Sequence, residues 1–597
     1  MSEACALPGL MRNQTRAWQA LESQMNLELT DSRRLTGANL YWDHPSAIID
    51  VVIDGPRELV IHAWEKAVRE WLDPVGYAGE KTIYRVFEGG ASLLISAPID
   101  VLYSMCELNE LAWASAVCVF GKGSVPDPGE EIPRLTRLFD EERNPALLAL
   151  QAAALEHAAP FLWDDDEVSL GYGKTTRTWK PDALPSPGEV DWDSIKSIPL
   201  ALVTGTNGKS TTVRMTAAIM TAAGLKAGLT STDFIRVGDR VIDTGDYSGT
   251  GGARMLMRQA DVEMAVLEVA RGGLLRRGLG VERADVAVVT NVAADHLGDY
   301  GINTVPELIP AKFIVRRALT GDAPLVLNAD DEGVVEFAGT LDNKIAWFSL
   351  DPGNPKLVKT LVSGGTACYL EKNWLVAAQG SSRRRVAPVA EIPATLGGIV
   401  RYNISNALAA MCVAIALGID DTSIRKGLAV FRGDEHDNPG RGNWFEHQVD
   451  DGIIRILVDF AHNEHGMKAL ADAVRQVPAK RVILLMGQAG DRLDKDIIDL
   501  VRAACSMRPC QLLVAELPGY ERGREPFEVP ALIRTEAMKS GIPDNAIEIF
   551  QEPREATAQA LSRARPGDLL VLLALTQRSA ALSLIHEFIG NGKEGHG

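Results

Sequence analysis

Residues 199–212 of the chain read PLALVTGTNGKSTT. The apolar run at 199–203 predicts a buried β-strand, glycine-rich sequence follows it, and a helix is predicted over 211–223 with Gly224 as its C-terminal stop. Glycines let backbone N–H groups turn towards one point, and a helix N-terminus adds positive potential there. Strand, glycine-rich turn and helix in this order predict a loop that binds phosphate.

The phosphate-binding loop is predicted to consist of consecutive residues: Gly205, Thr206, Asn207, Gly208, Lys209, Ser210 and Thr211. The lysine can neutralise the β- and γ-phosphates of a nucleotide, and one of the two hydroxyl groups after it can hold Mg²⁺. The commonest form of this motif has another glycine where this chain has Val203, so the loop is shorter than usual. A glycine turn with a chance Lys–Ser pair is the alternative, which the strand–loop–helix context disfavours.

Short apolar runs alternate with helix-length amphipathic segments on the C-terminal side of this loop. This alternation is typical of parallel sheets that are covered on both faces. The first series of runs lies at 264–267, 286–289, 324–327 and 344–348, and the second at 455–458, 482–486, 512–514 and 569–573. Two α/β domains are therefore expected, joined by the polar, turn-rich stretch 432–442. A smaller mixed α/β unit precedes them, and a Pro/Gly-rich break at 180–188 ends it.

Composition excludes several classes of protein. The 597 residues carry a formal net charge of −18, which argues against bulk affinity for nucleic acid or anionic membranes. Among the longest apolar runs is 568–575, far shorter than the ~20 residues that cross a bilayer. The N-terminus has no secretory pattern, and the 7 cysteines include no CxxC pair. We expect a cytoplasmic protein with no nucleic-acid or membrane partner, and leave homo-oligomer formation open.

The sequence GTNGKSTT behind an apolar strand resembles the ATP-binding loop of the Mur ligase superfamily, whose members join amino acids to carboxylates. Further similar segments follow in the family's order: MAVLEVARGGLLRRGLG (264–280), AVVTNVAADHLG (287–298), LVLNADD (325–331), RYNISNALAA (401–410), PGR (439–441) and VDFAHN (458–463). The resemblance implies an α/β fold with a Mur-ligase-like central P-loop ATPase domain (196–435) and a C-terminal α/β domain (436–597). A smaller α/β N-terminal domain with its linker (1–185) would precede them.

Within the superfamily, segments 264–280 and 487–494 are most similar to the Mur-type half of the cyanophycin synthetases. Segments 35–42 (LTGANLYW) and 168–179 (VSLGYGKTTRTW) resemble the part of those enzymes that precedes their ATP-grasp domain. Here the chain passes directly into the Mur-type region, so we expect the ATP-grasp half to be missing. In that family the missing half extends a polyaspartate backbone, while the Mur half attaches arginine to the side chains.

The resemblance also implies a reaction and its residues. A carboxylate would attack the γ-phosphate of ATP, and an amine would displace phosphate from the resulting acyl-phosphate. Crowding of these negative charges requires Mg²⁺ and lysine. Metal roles would fall to Ser210, Glu268 and His296, the last oriented by Asp295. Lys312 matches a lysine that CO₂ often carbamylates, and would act with Lys209 and His296 in catalysis.

Further residues that bind the nucleotide are implied by the same resemblance. Asn403 and Asn406 are spaced to share one helix face, and this pair would support the adenine. Arg441 would contact the nucleotide phosphates, and Asp459 would contact the ribose or the other domain. The chain departs from the family at Phe460 and Glu464, where tyrosine and proline are usual. The glutamate would place a negative charge near the acyl-phosphate.

The predicted substrates are less defined than the chemistry. The segment 244–253, which would face the acceptor, differs from the corresponding motif of the cyanophycin synthetases. Residues 437–440 read DNPG and not DNPR, the motif that binds diaminopimelate in the peptidoglycan branch. We expect arginine or another amino acid as the amine and an aspartyl peptide or polymer as acceptor. Two alternatives remain open. One is a ligase with glutamyl or folate-like substrates, and the other is a non-catalytic ATP-binding partner of a full-length synthetase.

Overall fold

The computed structural model describes residues 25–591 of the chain. In this part the strands form sheets of four, eleven, six and three strands, with helices packed on their faces. The four-stranded sheet comes first, the eleven-stranded sheet contains the glycine-rich loop, and the six-stranded sheet is C-terminal. The α/β class predicted from the alternating pattern is confirmed. No helix of residues 25–591 is long and apolar enough to cross a membrane.

The N-terminal unit is an antiparallel sheet of order β1-β2-β4-β3 with helices on it. Its elements are β1 (Leu27–Leu35), β2 (Ser46–Ile53), α1 (Arg57–Leu72), β3 (Thr82–Phe87), β4 (Gly90–Ser96), α2 (Leu102–Cys118), α3 (Pro128–Glu142) and α4 (Pro145–Glu156). Helix α1 buries Val60, Trp64, Val68 and Trp71 at three- and four-residue spacing, so that one apolar stripe faces the core. A small antiparallel sheet follows, made of β5 (Phe161–Trp163), β6 (Val168–Leu170) and β7 (Arg177–Trp179).

The central sheet has the order β11-β10-β9-β12-β8-β13-β14-β15-β16-β17-β18. Its strands are β8 (Leu200–Thr204), β9 (Ala227–Thr230), β10 (Phe234–Val237), β11 (Arg240–Thr244), β12 (Met264–Glu268), β13 (Val286–Val289), β14 (Leu325–Asn328), β15 (Ile345–Ser349), β16 (Thr366–Glu371), β17 (Trp374–Gln379) and β18 (Ser382–Pro388). The strands from β9 to β16 in this order are parallel, and antiparallel strands extend both edges. Strand β8 is buried along its whole length between β12 and β13.

Helices cover both faces of this sheet. They are α5 (Lys209–Ala222), α6 (Thr250–Met257), α7 (Arg271–Arg277), α8 (Val305–Lys312), α9 (Glu332–Ala338), α10 (Pro355–Val362), α11 (Arg401–Ala416) and α12 (Asp421–Val430). Helices α11 and α12 pack on α5, where the alanines of α11 allow close approach. Because β8, β12 and β13 are parallel neighbours, the segments that follow all three strands meet at one edge of the sheet.

The C-terminal sheet has the order β19-β20-β24-β21-β22-β23 and is parallel except for β19. Its elements are β19 (Asn443–Val449), β20 (Gly452–Asp459), α13 (Glu464–Val474), β21 (Arg481–Met486), α14 (Asp494–Cys505), β22 (Gln511–Ala515), α15 (Glu528–Lys539), β23 (Ile547–Phe550), α16 (Pro553–Ser562), β24 (Asp568–Leu573) and α17 (Arg578–Asn591). The loops after β20 and β21 face the carboxyl edge of the central sheet, where Asn463 contacts Asn207 and Arg492 contacts His296.

The N-terminal sheet docks on α7 through the end of β1. Backbone hydrogen bonds run from Thr36 N to the Arg277 carbonyl (2.7 Å) and from Leu279 N to the Ala38 carbonyl (2.8 Å). The buried Arg33 pairs with Asp50 at 2.5 Å in its own sheet and donates to the carbonyl of Leu275 at 3.1 Å. The LTGANLYW segment (35–42) therefore contains residues whose backbone hydrogen bonds attach the N-terminal sheet to the central domain.

Candidate functional site

The glycine-rich loop lies between β8 and α5, at the middle of the central sheet. Gly205 has φ +143°, and a Cβ there would lie 1.9 Å from Oγ1 of Thr290. Gly208 has φ +84°, and a Cβ there would lie 2.2 Å from Oδ1 of Asn406. Both positions exclude a side chain, because the loop is packed against the next strand on one side and against α11 on the other. This packing fixes the path of the loop backbone into the start of α5.

Two lysines lie on the carbonyl groups of this loop. The Nζ atom of Lys209 donates to the Thr206 carbonyl at 2.9 Å, and Nζ of Lys312 donates to the Gly205 carbonyl at 2.8 Å. Lys312 ends α8 and is buried. Burial, with the positive charge of Lys209, holds the pKa of Lys312 well below its ordinary value. The structure therefore brings together both lysines that the sequence singled out.

The loop is held from the side by the segment that follows β13. Thr206 N donates to the Asn291 carbonyl at 2.8 Å, and Asn207 N donates to the Asn291 side-chain oxygen at 2.9 Å. Thr206 Oγ1 and the backbone of Ala293 also exchange hydrogen bonds. These bonds use N–H groups at the start of the loop, while the N–H groups of 209–211, at the start of α5, have no partner inside the helix.

A buried carboxylate lies beside the first turn of α5. Glu268 ends β12 and is 2% exposed. Its Oε2 accepts from Thr232 N at 3.3 Å, and Thr232 Oγ1 is 3.1 Å from Ser210 Oγ. Its Oε1 is buried and has no hydrogen-bond partner within residues 25–591. Such an atom is costly unless a ligand meets it, and a carboxylate with a nearby hydroxyl is a donor set that suits Mg²⁺. Ser210 and Glu268 fit this ion.

The two asparagines of α11 face the loop and are buried. Asn406 Nδ2 donates to Asn403 Oδ1 at 3.1 Å, and Asn403 Nδ2 donates to the Ala394 carbonyl at 2.8 Å. The Asn406 oxygen is the atom that approaches Gly208. The helix spacing thus places both amides on one face, as the sequence predicts.

Arg441 lies in the joint between the two larger sheets and is held by a single acid. Its Nη1 pairs with Asp233 at 2.6 Å, and Nη2 donates to Thr232 Oγ1 at 3.0 Å. Asp233 also pairs with Arg214 of α5 and, at 2.8 Å, with Arg578 of α17. Burial opposes ionisation of Asp233, but these arginines outweigh it and lower its pKa to about 2. One carboxylate therefore connects the loop helix, the joint and the C-terminal domain.

Asp459 ends β20 and lies near the joint. Its Oδ1 accepts from Ala461 N at 2.9 Å, and a Cβ on Gly442 would be 3.9 Å both from its Oδ2 and from Asn403 Nδ2. Burial raises the pKa of Asp459 to about 6, against the hydrogen bonds that it accepts. The structure thus brings Asp459 close to Asn403 of α11.

His296 lies in the loop after β13, with φ +52°. Its Nε2 is 2.8 Å from Nη2 of Arg492, which follows β21 in the C-terminal domain. Partial desolvation lowers the pKa of His296 to about 4, with Asp295 opposing and Arg492 reinforcing the shift. Asp295 Oδ2 is 3.5 Å from His462 Nε2. Burial opposes the ionisation of Asp295, but His462, His296 and Arg492 together hold its pKa well below its ordinary value.

The C-terminal domain also reaches the glycine-rich loop directly. Asn463 caps α13, and its side-chain amide exchanges two hydrogen bonds with that of Asn207, at 3.0 and 3.1 Å. His465 Nδ1 is 3.0 Å from Asn207 Nδ2. Glu464 pairs with Lys468 at 2.5 Å and is partly exposed. Its charge is therefore compensated one turn along the helix.

Sequence reasoning missed three residues that connect these groups: Asp233, Asn438 and Arg492. Asn438 donates to Thr211 Oγ1 at 3.1 Å and accepts from Arg214 at 2.8 Å. The signals were weak. Asp233 follows a strand end and Arg492 follows a glycine-rich turn. The partners that link them to the other domain, Arg578 and His296, are 345 and 196 residues away in the chain. No group of three His, Cys, Asp or Glu side chains within residues 25–591 could hold a metal by itself.

Comparison with known families agrees with this arrangement. Residues 203–414 match the description "Mur ligase middle domain", and residues 440–574 match "Mur ligase, glutamate ligase domain". The chain carries the middle and C-terminal domains of the Mur ligases. The two matches together span the glycine-rich loop, both asparagines of α11 and the C-terminal sheet up to β24.

Among curated relatives of these Mur ligase domains, the cyanophycin synthetase of Trichormus variabilis is 36% identical over 388 residues, which are 65% of this chain and 42% of that protein. The enzyme of the same name from Synechocystis sp. is 36% identical over 375 residues, 63% of this chain and 42% of that protein. A UDP-N-acetylmuramoyl-L-alanyl-D-glutamate–2,6-diaminopimelate ligase of Geobacter metallireducens is 27% identical over 63% of this chain and 73% of its own. The chain spans less than half the length of the cyanophycin synthetases that it matches.

Solved structures with a similar arrangement include E. coli FolC in complex with DHPP and ADP, at 21% identity and a TM-score of 0.49. That match covers 66% of this chain and 89% of FolC. MurF from Acinetobacter baumannii matches at 17% identity and a TM-score of 0.45, over 65% of this chain and 77% of that one.

Proposed function

We propose that this chain is an ATP- and Mg²⁺-dependent ligase that forms an amide bond between a carboxylate and an amino acid through an acyl-phosphate. By analogy with its relatives, the amine is arginine or another basic amino acid, and the acceptor is an aspartyl peptide or polymer. The domains would be those expected from the sequence, with the central ATPase domain over 196–435 and the C-terminal domain over 436–597. The net charge of −18 is compatible with a cationic substrate.

One observation carries the proposal. The buried Oε1 of Glu268 has no hydrogen-bond partner within the described residues, and it lies one threonine away from Ser210 at the start of α5. A buried carboxylate in this position is explained by a cation that belongs to the bound substrate. A loop whose glycines exclude side chains, with two lysines on its carbonyls, supports a triphosphate at the same place.

The positions of these residues support the following roles. ATP would supply the phosphoryl group, and Mg²⁺ would reduce the charge repulsion between triphosphate and carboxylate. Ser210 and Glu268 would hold the ion, and Lys209 would leave the Thr206 carbonyl to contact the phosphates. Lys312 anchors the loop. Its low pKa favours the neutral amine that reacts with CO₂, so carbamylation belongs to the proposal.

The nucleotide's other end would lie against α11 and the joint. Asn403 and Asn406 would support the adenine, although each already makes a hydrogen bond inside the protein. Arg441 would leave Asp233 to bind phosphate, and Asp459 would accept from the ribose. Because Arg441 and Asp459 come from the joint and the C-terminal domain, bound nucleotide would hold that domain closed against the central domain.

The proposal is tested by ADP release from the purified full chain. Arginine, lysine, glutamate and diaminopimelate are each supplied with an aspartyl peptide, ATP and Mg²⁺, and products are identified by mass. We expect ADP to form above background only with an amine–acceptor pair, fastest with a basic amino acid. ATP binding without turnover under every pair would contradict the ligase and favour a non-catalytic partner. Turnover with glutamate alone would contradict the proposed substrates but not the reaction.

Glu268→Gln is the variant that tests whether the buried carboxylate of Glu268 holds the metal ion. It should lower ADP release about 100-fold or more, because the amide cannot compensate the ion's charge. Glu263→Gln is the matched control, since Glu263 lies just before the opposite end of the same strand and pairs with Lys174 at 3.6 Å. It should retain full activity. Equal activity of the two variants would contradict the role of Glu268 as a metal ligand.

A further inference from the structure

Arg492 is a residue of the C-terminal domain whose charged end lies in the central domain. It belongs to the segment between β21 and α14, and its side chain is 10% exposed. Its Nη2 is 2.8 Å from His296 Nε2, and its Nη1 is 3.4 Å from Asp295 Oδ1. The guanidinium therefore contacts two neighbouring residues of the AADHLG segment, Asp295 and His296.

The direction of the contact with His296 follows from chemistry. A guanidinium has only donors, so His296 Nε2 must accept, and the ring proton of a neutral imidazole must lie on Nδ1. The lone pair that a divalent cation would use at Nε2 is therefore already directed at a cation, and that cation is part of the protein.

The segment that carries Arg492 is held in place by the rest of its domain. Arg524 donates from Nε to the Gly490 carbonyl at 2.9 Å and from Nη2 to the Arg492 carbonyl at 2.6 Å. A Cβ on Gly490 would lie 1.9 Å from the Glu521 carbonyl oxygen, so this turn packs tightly on its neighbour. The position of Arg492 is thus built into the C-terminal fold.

The surroundings of the two candidate cation positions differ. Beside Ser210, the Oε1 atom of Glu268 is buried without a hydrogen-bond partner in the described residues. Beside His296, the neighbouring acid Asp295 already has two basic partners, Arg492 and His462 at 3.5 Å. Its negative charge is therefore already compensated, and a second divalent ion would meet the guanidinium there.

We propose that Arg492 takes the place of a second divalent cation, so that the site holds one metal ion, at Ser210 and Glu268, and one guanidinium, at Asp295 and His296. This inference rests on the proposed function and deepens it. Because Arg492 comes from the C-terminal domain, the second positive charge reaches Asp295 and His296 only when the two domains are together. Charge compensation of the transferred phosphoryl group is thereby coupled to domain closure.

The test counts bound metal and does not depend on turnover. Mn²⁺ bound to the full chain is measured by electron paramagnetic resonance at saturating AMP-PNP, a non-hydrolysable ATP analogue. We expect one Mn²⁺ per wild-type chain. Arg492→Ala should bind a second, weaker Mn²⁺, because it frees His296 Nε2 and uncovers the charge of Asp295. Arg492→Ala with His296→Ala should return the count to one. Lys495→Ala, which removes an exposed cation from the first turn of α14, is the matched control and should bind one.

Two Mn²⁺ bound to the wild-type chain, or only one bound to Arg492→Ala, would overturn the inference about Arg492. If AMP-PNP still binds in those cases, the proposed function is not affected. A wild-type chain that binds no AMP-PNP, by calorimetry in the same buffer, would overturn both. Anomalous scattering from Mn²⁺ in crystals of the AMP-PNP complex gives an independent reading. The expected result is one peak between Ser210 and Glu268, and a peak at His296 Nε2 would contradict the assignment.

Discussion

At the scale of single residues, the loop shows how backbone conformation and close packing act together. Gly208 has both a left-handed φ and a neighbour, Asn406, that leaves no room for a Cβ. Gly224, past the end of α5, has nearly the same φ of +82° but nothing within 4 Å of its Cβ position. An alanine at Gly224 would therefore cause backbone strain alone, whereas an alanine at Gly208 would cause the same strain and a steric clash.

Gly208→Ala should destabilise the protein by more than the strain alone, which is about 1–2 kcal/mol, and should weaken nucleotide affinity at least about 10-fold. The alanine must displace Asn406 and with it the loop. Gly224→Ala should show the strain in urea unfolding but bind AMP-PNP like the wild type. Calorimetric titration of both variants checks this. Unchanged affinity in Gly208→Ala would mean that the nucleotide does not contact this loop.

Asp459 shows how burial sets a pH response. Its pKa in the folded protein is about 6, above the ordinary value of about 3.9, so folding favours the protonated carboxyl. The stabilisation is therefore complete below about pH 4 and is lost as the pH rises through 6. Its size is at most about 3 kcal/mol.

Urea unfolding between pH 4 and pH 7 measures this response. Asp459→Asn resembles the protonated side chain and should flatten the pH dependence, while its oxygen still accepts from Ala461 N. Asp451→Asn, at an exposed turn between β19 and β20, should keep the wild-type profile. A profile of Asp459→Asn that equals the wild type would show that folding does not shift the pKa of this carboxyl.

At the scale of elements, Asp233 joins α5, the joint and α17 through Arg214, Arg441 and Arg578. Replacement by asparagine leaves the buried Arg214 without a counter-charge, which typically costs about 3–5 kcal/mol. We expect Asp233→Asn to lower the free energy of unfolding by this order and to loosen the C-terminal domain. Asp239→Asn, in the exposed turn between β10 and β11, should have little effect. Because the folded pKa of Asp233 is about 2, below the ordinary value of about 3.9, the difference between Asp233→Asn and wild type should be full above about pH 4 and should be lost as the pH falls from there through 2.

At the scale of the whole molecule, the N-terminal sheet is coupled to the central domain by close backbone packing. A Cβ on Gly37 would lie 2.3 Å from the Leu279 carbonyl oxygen, whereas a Cβ on Gly79, in the same unit, would meet nothing within 4 Å. Gly37→Val should therefore separate the two units and cost about 1–3 kcal/mol. Limited proteolysis checks this. Gly37→Val should be cut faster in the 180–188 stretch, and Gly79→Ala should be cut like the wild type.

The sequence alone determined the α/β class, nine buried parallel strands of the two larger sheets and the glycine-rich loop. These depend on local pattern: apolar runs of strand length, and glycines between a strand and a helix. The observed β8 (Leu200–Thr204) and β12 (Met264–Glu268) differ by about one residue from the runs 199–203 and 264–267. The antiparallel strands at the sheet edges were not predicted. For β11 the reason is that the strand is largely exposed, so its hydrophobic pattern is weak.

Only the tertiary structure decided which side chains meet across the domains. Arg492 and His296 are 196 residues apart, and Asp233 and Arg578 are 345 apart. A surface arginine and a buried one look alike in a sequence, because burial and charge pairing arise only when sheets pack against each other. The pattern along the chain specifies each sheet and the loop that follows each strand, whereas the guanidinium beside His296 exists because two separately folded sheets present their carboxyl edges to one another.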